Sequence, residues 1–138
     1  MSGPYLLDTN TVGYIAKGKS PAARARLEAV GDGETVSISS ITEAELRYGL
    51  AKRPEARVLR AAIEALLFKL RILPWGSKEA AACGALRARL EAAGVTLSEL
   101  DLQIAAHAIA LGAVLVTNNK AFLQVEDLGA TVNWATDI

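Results

Sequence analysis

Short apolar runs recur along this chain, each separated from the next by a stretch that reads as helix. That alternation restricts the possible folds more than any other feature. Tyr5–Asp8, Thr35–Ser39, Arg71–Trp75, Ala113–Thr117 and Thr131–Trp134 read as strands. TVSIS at 35–39 alternates at period two and is rich in β-branched residues, and AVLVT at 113–117 is apolar almost throughout. Between them, Thr11–Lys17, a segment opening at Ser20-Pro21, Thr42–Lys52, Glu55–Leu70, a segment from Ser77 to about Ala93, Ser98–Leu111 and Lys120–Val125 read as helices. Ser20 precedes a proline suited to a first helical position, Ser77 fits an N-cap, and Gly94 and Gly112 fit helix stops. Strands alternating with helices imply an α/β fold, with three layers, α/β/α, around a central and mostly parallel sheet. A single domain over 1–138 is expected, since 138 residues with 51% apolar content suit one sizeable core.

Composition excludes several classes. The longest uncharged apolar stretch, Ile104 to Val116, is interrupted by His107 and is too short to cross a bilayer. The N-terminus lacks the basic and apolar regions of a signal peptide, so a cytoplasmic protein with no membrane partner is expected. One cysteine, Cys83, rules out an internal disulfide framework, and there is no CxxC or histidine cluster to suggest zinc. The formal net charge is zero, yet residues 1–74 carry 11 Lys+Arg against 8 Asp+Glu and residues 75–138 carry 4 against 7. Lys17, Lys19, Arg24, Arg26, Arg47, Lys52, Arg53, Arg57 and Arg60 could form a local basic surface, or simply solvated helix faces.

Ligands of doubly wound sheets bind beyond the carboxyl ends of the strands. Asp8 ends the first strand at that edge. Glu45 follows the second strand, Asp101 sits in the first turn of the helix from Ser98, and Asn119 follows AVLVT. Local patterns offer a structural account of two of these. Thr42-Glu43-Ala44-Glu45 and Ser98-Glu99-Leu100-Asp101 both have capping-box spacing, and either acid would complement its helix dipole. Together the acids suggest more, because three carboxylates at one sheet edge repel each other unless a cation is bound. Oxygen-only ligation suits a hard cation, Mg²⁺ or Mn²⁺, of the kind used in phosphoryl transfer.

LLDTN at 6–10, ISSITEAELRYGL at 38–50, LDLQIAAHAIALGAVLVTNNKAF at 100–122 and NW at 133–134 resemble the PIN domain, and more narrowly the VapC-type toxins of bacterial VapBC pairs. The likeness spans nearly the whole chain. It implies a Mg²⁺-dependent endoribonuclease, with Mn²⁺ as a possible substitute, that cleaves RNA and is neutralised by a VapB-type antitoxin. It further implies a homodimer within a larger toxin–antitoxin assembly, and contact with operator DNA only through the antitoxin. By motif position, Asp8 and Asp101 match the usual metal ligands. Glu45, rather than Glu43, matches the acid that binds a second metal or a metal-held water, or acts as base. Asn119 stands where many relatives carry a fourth acid; an amide supplies a neutral oxygen and cannot act as a base. Two other readings stay open from the sequence: a weakly active PIN module serving mainly as antitoxin-binding co-regulator, and a PIN nuclease of RNA maturation.

Several residues have readings of their own. Asn10 suits a turn or a contact to Asp8, and Ser39 and Ser40 suit a satisfied strand end. His107 on its apolar helix suits a core or interface position rather than catalysis, Trp75 and Trp134 suit core or dimer contacts rather than base stacking, and Cys83 suits a small buried position. Arg47 and Tyr48 suit either a phosphate or an antitoxin contact.

Overall fold

The computed structural model of the chain describes residues 3–30 and 35–138. Five short strands, β1 (Tyr5–Leu7), β2 (Val36–Ser39), β3 (Arg71–Leu73), β4 (Val114–Val116) and β5 (Thr131–Val132), form one sheet in the order β3-β2-β1-β4-β5. Every neighbouring pair is parallel. Six α-helices connect and flank them: α1 (Thr9–Ala16), α2 (Pro21–Ala29), α3 (Ser40–Lys52), α4 (Arg57–Lys69), α5 (Ser77–Ala92) and α6 (Glu99–Leu111). The short helix expected after β4 is a 3₁₀ helix, Lys120–Gln124. No helix among the described residues is long and apolar enough to cross a membrane.

The layers follow from the pleat of the two central strands. Tyr5 and Leu7 of β1, with Val114 and Val116 of β4, face one core, built with α1, α2, α3 and α4. Leu6 and Leu115 face the other core, built with α5 and α6. Leu6, Leu7, Leu115 and Val116 are fully buried, each burial contributing about 1.5–3 kcal/mol. The sheet is therefore covered on both faces, as parallel pairing requires.

Two helices, α1 and α3, start earlier than expected because the chain turns from strand to helix without a linker, and α5 is capped one residue earlier than expected. α1 begins at Thr9, and Asp8 is its N-cap instead of the last strand residue. α3 is capped by Ser39, whose Oγ accepts from the Ile41 N–H at 3.1 Å, so Thr42 lies inside the helix and Glu45 beyond its first turn. The capping-box reading of Thr42–Glu45 is thereby corrected. Ser77 is the first residue of α5, and the Gly76 N–H before it donates to Glu79 Oε1 at 2.8 Å. At the far end of α6, Gly112 adopts φ 66°, ψ 32°, the left-handed closure expected of it.

The C-terminal segment is tied back to α2. Ser20 Oγ donates to Asp137 Oδ1 at 2.5 Å and the Ala22 N–H donates to Asp137 Oδ2 at 3.0 Å. The Ser20 hydrogen bond, with help from Ala22, holds the Asp137 carboxyl below its ordinary 3.8. A depressed carboxyl contributes stability above its unfolded value and loses it as pH falls through the folded one. Asp137→Ala is therefore expected to lower the melting temperature near neutral pH by roughly one or two degrees. The gap should close as pH falls below 3.8. A gap that stays constant across that acid range would show that the carboxylate charge is not responsible.

Candidate active site

The strand order reverses between β1 and β4. From β1 the chain winds outward through β2 and β3, and on the other side β4 is followed by β5. The crevice of a doubly wound sheet opens at such a reversal, beyond the carboxyl ends of the two strands. Asp8 follows β1 there, and Thr117 and Asn119 follow β4.

Asp8 is held from three sides. Its backbone N–H donates to the Val116 carbonyl at 3.0 Å, which keeps it on the edge of the sheet. As N-cap of α1, its Oδ1 accepts from the Thr11 N–H at 2.8 Å. The Thr117 hydroxyl donates to Oδ2 at 2.5 Å and in turn accepts from the Asn119 N–H at 3.0 Å. Only 5% of Asp8 is exposed. Burial pushes its carboxyl above the ordinary 3.8 against the hydrogen bonds from Thr117 and Thr11, and the Asp101 carboxylate adds to the rise.

Asp101 comes from the opposite layer. Its backbone N–H donates to the Ser98 cap at 3.2 Å, which places its carboxylate over the N-terminus of α6. Asn119 Nδ2 donates to Asp101 Oδ2 at 3.2 Å, and Asn119 Oδ1 accepts from the Ala121 N–H at 3.0 Å. The amide therefore turns its NH₂ on the acid and spends its oxygen capping the 3₁₀ turn. Asn119 steadies Asp101 here; its oxygen is not offered as a ligand.

Glu45 lies apart from this pair. It is exposed on α3 and makes no hydrogen bond or ion pair among the described residues. It shares the wall of a cavity of about 360 Å³ with Thr9 and Asn10, the two residues after Asp8. Thr42, three residues before it, meets Thr9 hydroxyl to hydroxyl at 3.1 Å and so docks α3 against the start of α1. Glu43 is engaged elsewhere, in an ion pair with Arg47 at 3.0 Å. Arg47 also reaches Glu64 at 2.9 Å and is turned to that surface network.

The structure therefore brings Asp8, Asp101 and Asn119 together and leaves Glu45 on the adjoining cavity. Among the described residues, no three His, Cys, Asp or Glu side chains converge into a cage for a metal ion. Two carboxylates do suit one cation: Mg²⁺ is usually held by one or two carboxylates plus waters and substrate oxygens. The donor set is all oxygen, and a cation between Asp8 and Asp101 would compensate the burial that chiefly raises Asp8 and the smaller repulsion from Asp101.

Other singled-out residues are accounted for locally. Ser40 Oγ accepts from the Trp75 N–H at 3.0 Å, and Trp75 Nε1 donates to the Gln103 carbonyl at 3.0 Å. His107 is 2% exposed inside α6, and burial lowers its pKa against the charge of Glu79. Cys83 is half-buried beside the α5–α6 core rather than fully enclosed.

No sequence pattern marks Thr117 as a site residue. In AVLVT it reads as a strand residue, and its role arises only because β1 and β4 are neighbours. Thr117→Val keeps the shape, strips the donor from Asp8 Oδ2 and leaves the Asn119 N–H without its acceptor. Loss of such a supporting partner is expected to cost about 10–100-fold in activity or metal affinity. Divalent-cation affinity measured by calorimetric titration of the variant and the wild type checks this; an unchanged affinity would remove Thr117 from the site.

Comparison with known proteins gives a consistent picture. The family model for the PIN domain matches residues 5–128. "Ribonuclease VapC2" of Rickettsia felis is 37% identical over 131 residues, covering 94% of this chain and 97% of that protein. "tRNA(fMet)-specific endonuclease VapC" of Salmonella typhimurium is 35% identical over 115 residues, covering 83% of this chain and 86% of the relative. A crystal structure of VapBC2 from Rickettsia felis bound to a promoter DNA fragment superposes with a TM-score of 0.87 at 35% identity, covering 94% of this chain and 98% of that one.

Proposed function

Because the chain belongs to the PIN domain family, and within it to the VapC-type ribonucleases, we propose that it is the toxin of a bacterial toxin–antitoxin pair, cleaving RNA at Asp8 and Asp101. One observation carries the site assignment: two carboxylates from opposite layers meet at the strand-order reversal, one of them buried and raised. Mg²⁺, with Mn²⁺ as substitute, is the cation that fits them, supplying water activation and charge neutralisation at the phosphodiester. The chain's own residues prepare that chemistry. Thr11 and Thr117 fix the Asp8 carboxylate, so its free lone pairs face the crevice in one orientation. Asn119 and the Ser98 cap of α6 hold Asp101 in position beside it. Glu45, on the adjoining wall, is placed to meet the substrate side of the reaction as base, or as ligand to a second cation that the substrate brings. Asn119 acts in positioning only.

The structural relatives are toxin–antitoxin complexes, some of them bound to DNA. By that likeness, a VapB-type antitoxin covers this site and carries any contact to operator DNA, and the toxin pairs as a homodimer. An antitoxin arginine facing Asp8 and Asp101 would replace the cation's charge. A structured RNA of the tRNA class is a natural substrate, given the relative of that specificity.

The test is 5′-end sequencing of cellular RNA after brief induction of the chain, beside an Asp8→Ala control. New ends that vanish in the control, with growth arrest relieved, support the reading. Identical ends from both proteins would sink it.

A further inference from the structure

The cavity of about 360 Å³ beside the acids lies between α1, α3 and α4 and opens onto Thr9, Asn10 and Glu45. Its rim carries Lys17, Lys19, Lys52 and Arg53, all exposed, against a single carboxylate, Glu45. Among the described residues none of these four cations enters an ion pair, although the chain as a whole has no net charge. The other basic residues of the N-terminal half are mostly engaged. Arg24 donates to the Ile15 carbonyl, Arg60 to the Leu50 carbonyl, Arg26 lies over Trp134, and Arg47 is ion-paired. Four cations outside any ion pair thus gather on one concave surface.

Two tyrosines line the same space. Tyr14 is half-buried, while Tyr48 keeps 60% of its surface exposed with Lys52 Nζ 5.1 Å from its ring centre. Two glycines in helix interiors, Gly13 and Gly49, also line it, and a Cβ at either would enter open space. Glycine within a helix is unfavourable relative to alanine, so nothing in helix formation accounts for either. Both leave room on the cavity side.

An occupant matched to this cationic rim and to the aromatic and apolar walls beneath it is polyanionic, carries a flat π surface, and reaches the Thr9–Asn10 end that adjoins Asp8. We propose that the cavity seats one nucleotide of single-stranded RNA next to the bond being cut, its base stacked on Tyr48 and its flanking phosphates met by Lys17, Lys19, Lys52 and Arg53. This rests on the ribonuclease reading and adds to it the subsite that selects and orients the strand. Stacking on an aromatic ring is tolerant of base identity, while the lysines track the backbone.

The experiment uses the full chain carrying Asp8→Asn, to suppress cleavage, and a fluorescein-labelled single-stranded RNA of about ten nucleotides read by anisotropy. Adding Tyr48→Ala is expected to weaken binding about tenfold, while Tyr48→Phe, which keeps the ring, restores it. Lys52→Ala is expected to lower the slope of log affinity against log salt by about 0.7, as for one lost single-strand phosphate contact. RNA affinity and salt slope unchanged in both Tyr48→Ala and Lys52→Ala would overturn the proposal. So would an oligo-glutamate peptide whose binding falls in these variants while RNA binding does not, since the cavity would then be a protein-docking site. Cleavage by the Asp8→Asn chain itself would instead strike at the ribonuclease site, leaving the two failures separable.

Discussion

Replacing Asp8 with Asn lowers RNA cleavage at least about a thousandfold while leaving the melting temperature at or above that of the wild type. The two halves of this expectation come from one geometry. The lost charge is half of the carboxylate pair that suits the cation, and Asn119 cannot compensate because its oxygen caps the 3₁₀ turn. The fold keeps what it needs, because asparagine is as good an N-cap as aspartate and still accepts from the Thr11 N–H. Burial raises the Asp8 carboxyl above 3.8, and Asp101 adds to the rise. A raised carboxyl contributes stability that is fully present below the unfolded value and lost as pH rises through the folded one. Near neutral pH the ionised group therefore costs stability, and Asp8→Asn removes that cost. In EDTA, the variant should melt above the wild type at neutral pH, and the difference should shrink toward pH 3.8. Cleavage within about tenfold of wild type would remove Asp8 from the reaction. A variant that melts well below wild type at neutral pH would show that the charge is a structural asset instead.

Much of this site could be read along the chain because its parts are local. Asp8 closes an apolar run, Asp101 follows a Ser cap at the spacing of a helix start, and the alternation of strands and helices sends both to one edge. What could not be read depends on which strands become neighbours. Thr117 and Asp8 are joined by a hydrogen bond spanning 109 residues of sequence, and no periodicity signals it. Asn119 was legible as a substituted acid, but the direction of its amide depends on the 3₁₀ turn that follows. Glu45 was placed with the acids by motif order. Its distance from the pair comes from Ser39, which ends β2 and caps α3 in one step, so that Glu45 falls beyond the first turn. Charge counts pointed to a basic surface, yet only tertiary contacts separate the arginines that are structurally engaged from the four cations on the cavity rim.

Trp134→Ala is expected to lower folding stability by about 3–5 kcal/mol without changing the cleavage rate per folded molecule. Trp134 is 2% exposed and meets Tyr5 edge to face at a ring-centre distance of 5.2 Å. The Arg26 guanidinium carbon lies over its ring, 5.3 Å from the ring centre. It thus joins the segment after β5 to β1 and α2 within the larger core, and its removal leaves a void the size of an indole. A loss of that size is a large share of the roughly 5–15 kcal/mol typical of a domain, so the variant should unfold at markedly lower urea. Trp134→Phe should cost less. It keeps the ring against Tyr5 and removes an indole N–H that finds no acceptor among the described residues, a group whose burial unpaired costs about 1–3 kcal/mol. The pair of variants separates packing from chemistry. If Trp134 stacked a base of the substrate, Trp134→Ala would raise KM in molecules that remain folded, and Trp134→Phe would rescue KM rather than stability. Because the indole lies inside the core, packed on Tyr5, urea titration should move strongly in Trp134→Ala while KM and kcat of the folded fraction stay with the wild type. A KM that rises at temperatures where the variant is fully folded would place Trp134 in substrate binding and contradict its burial.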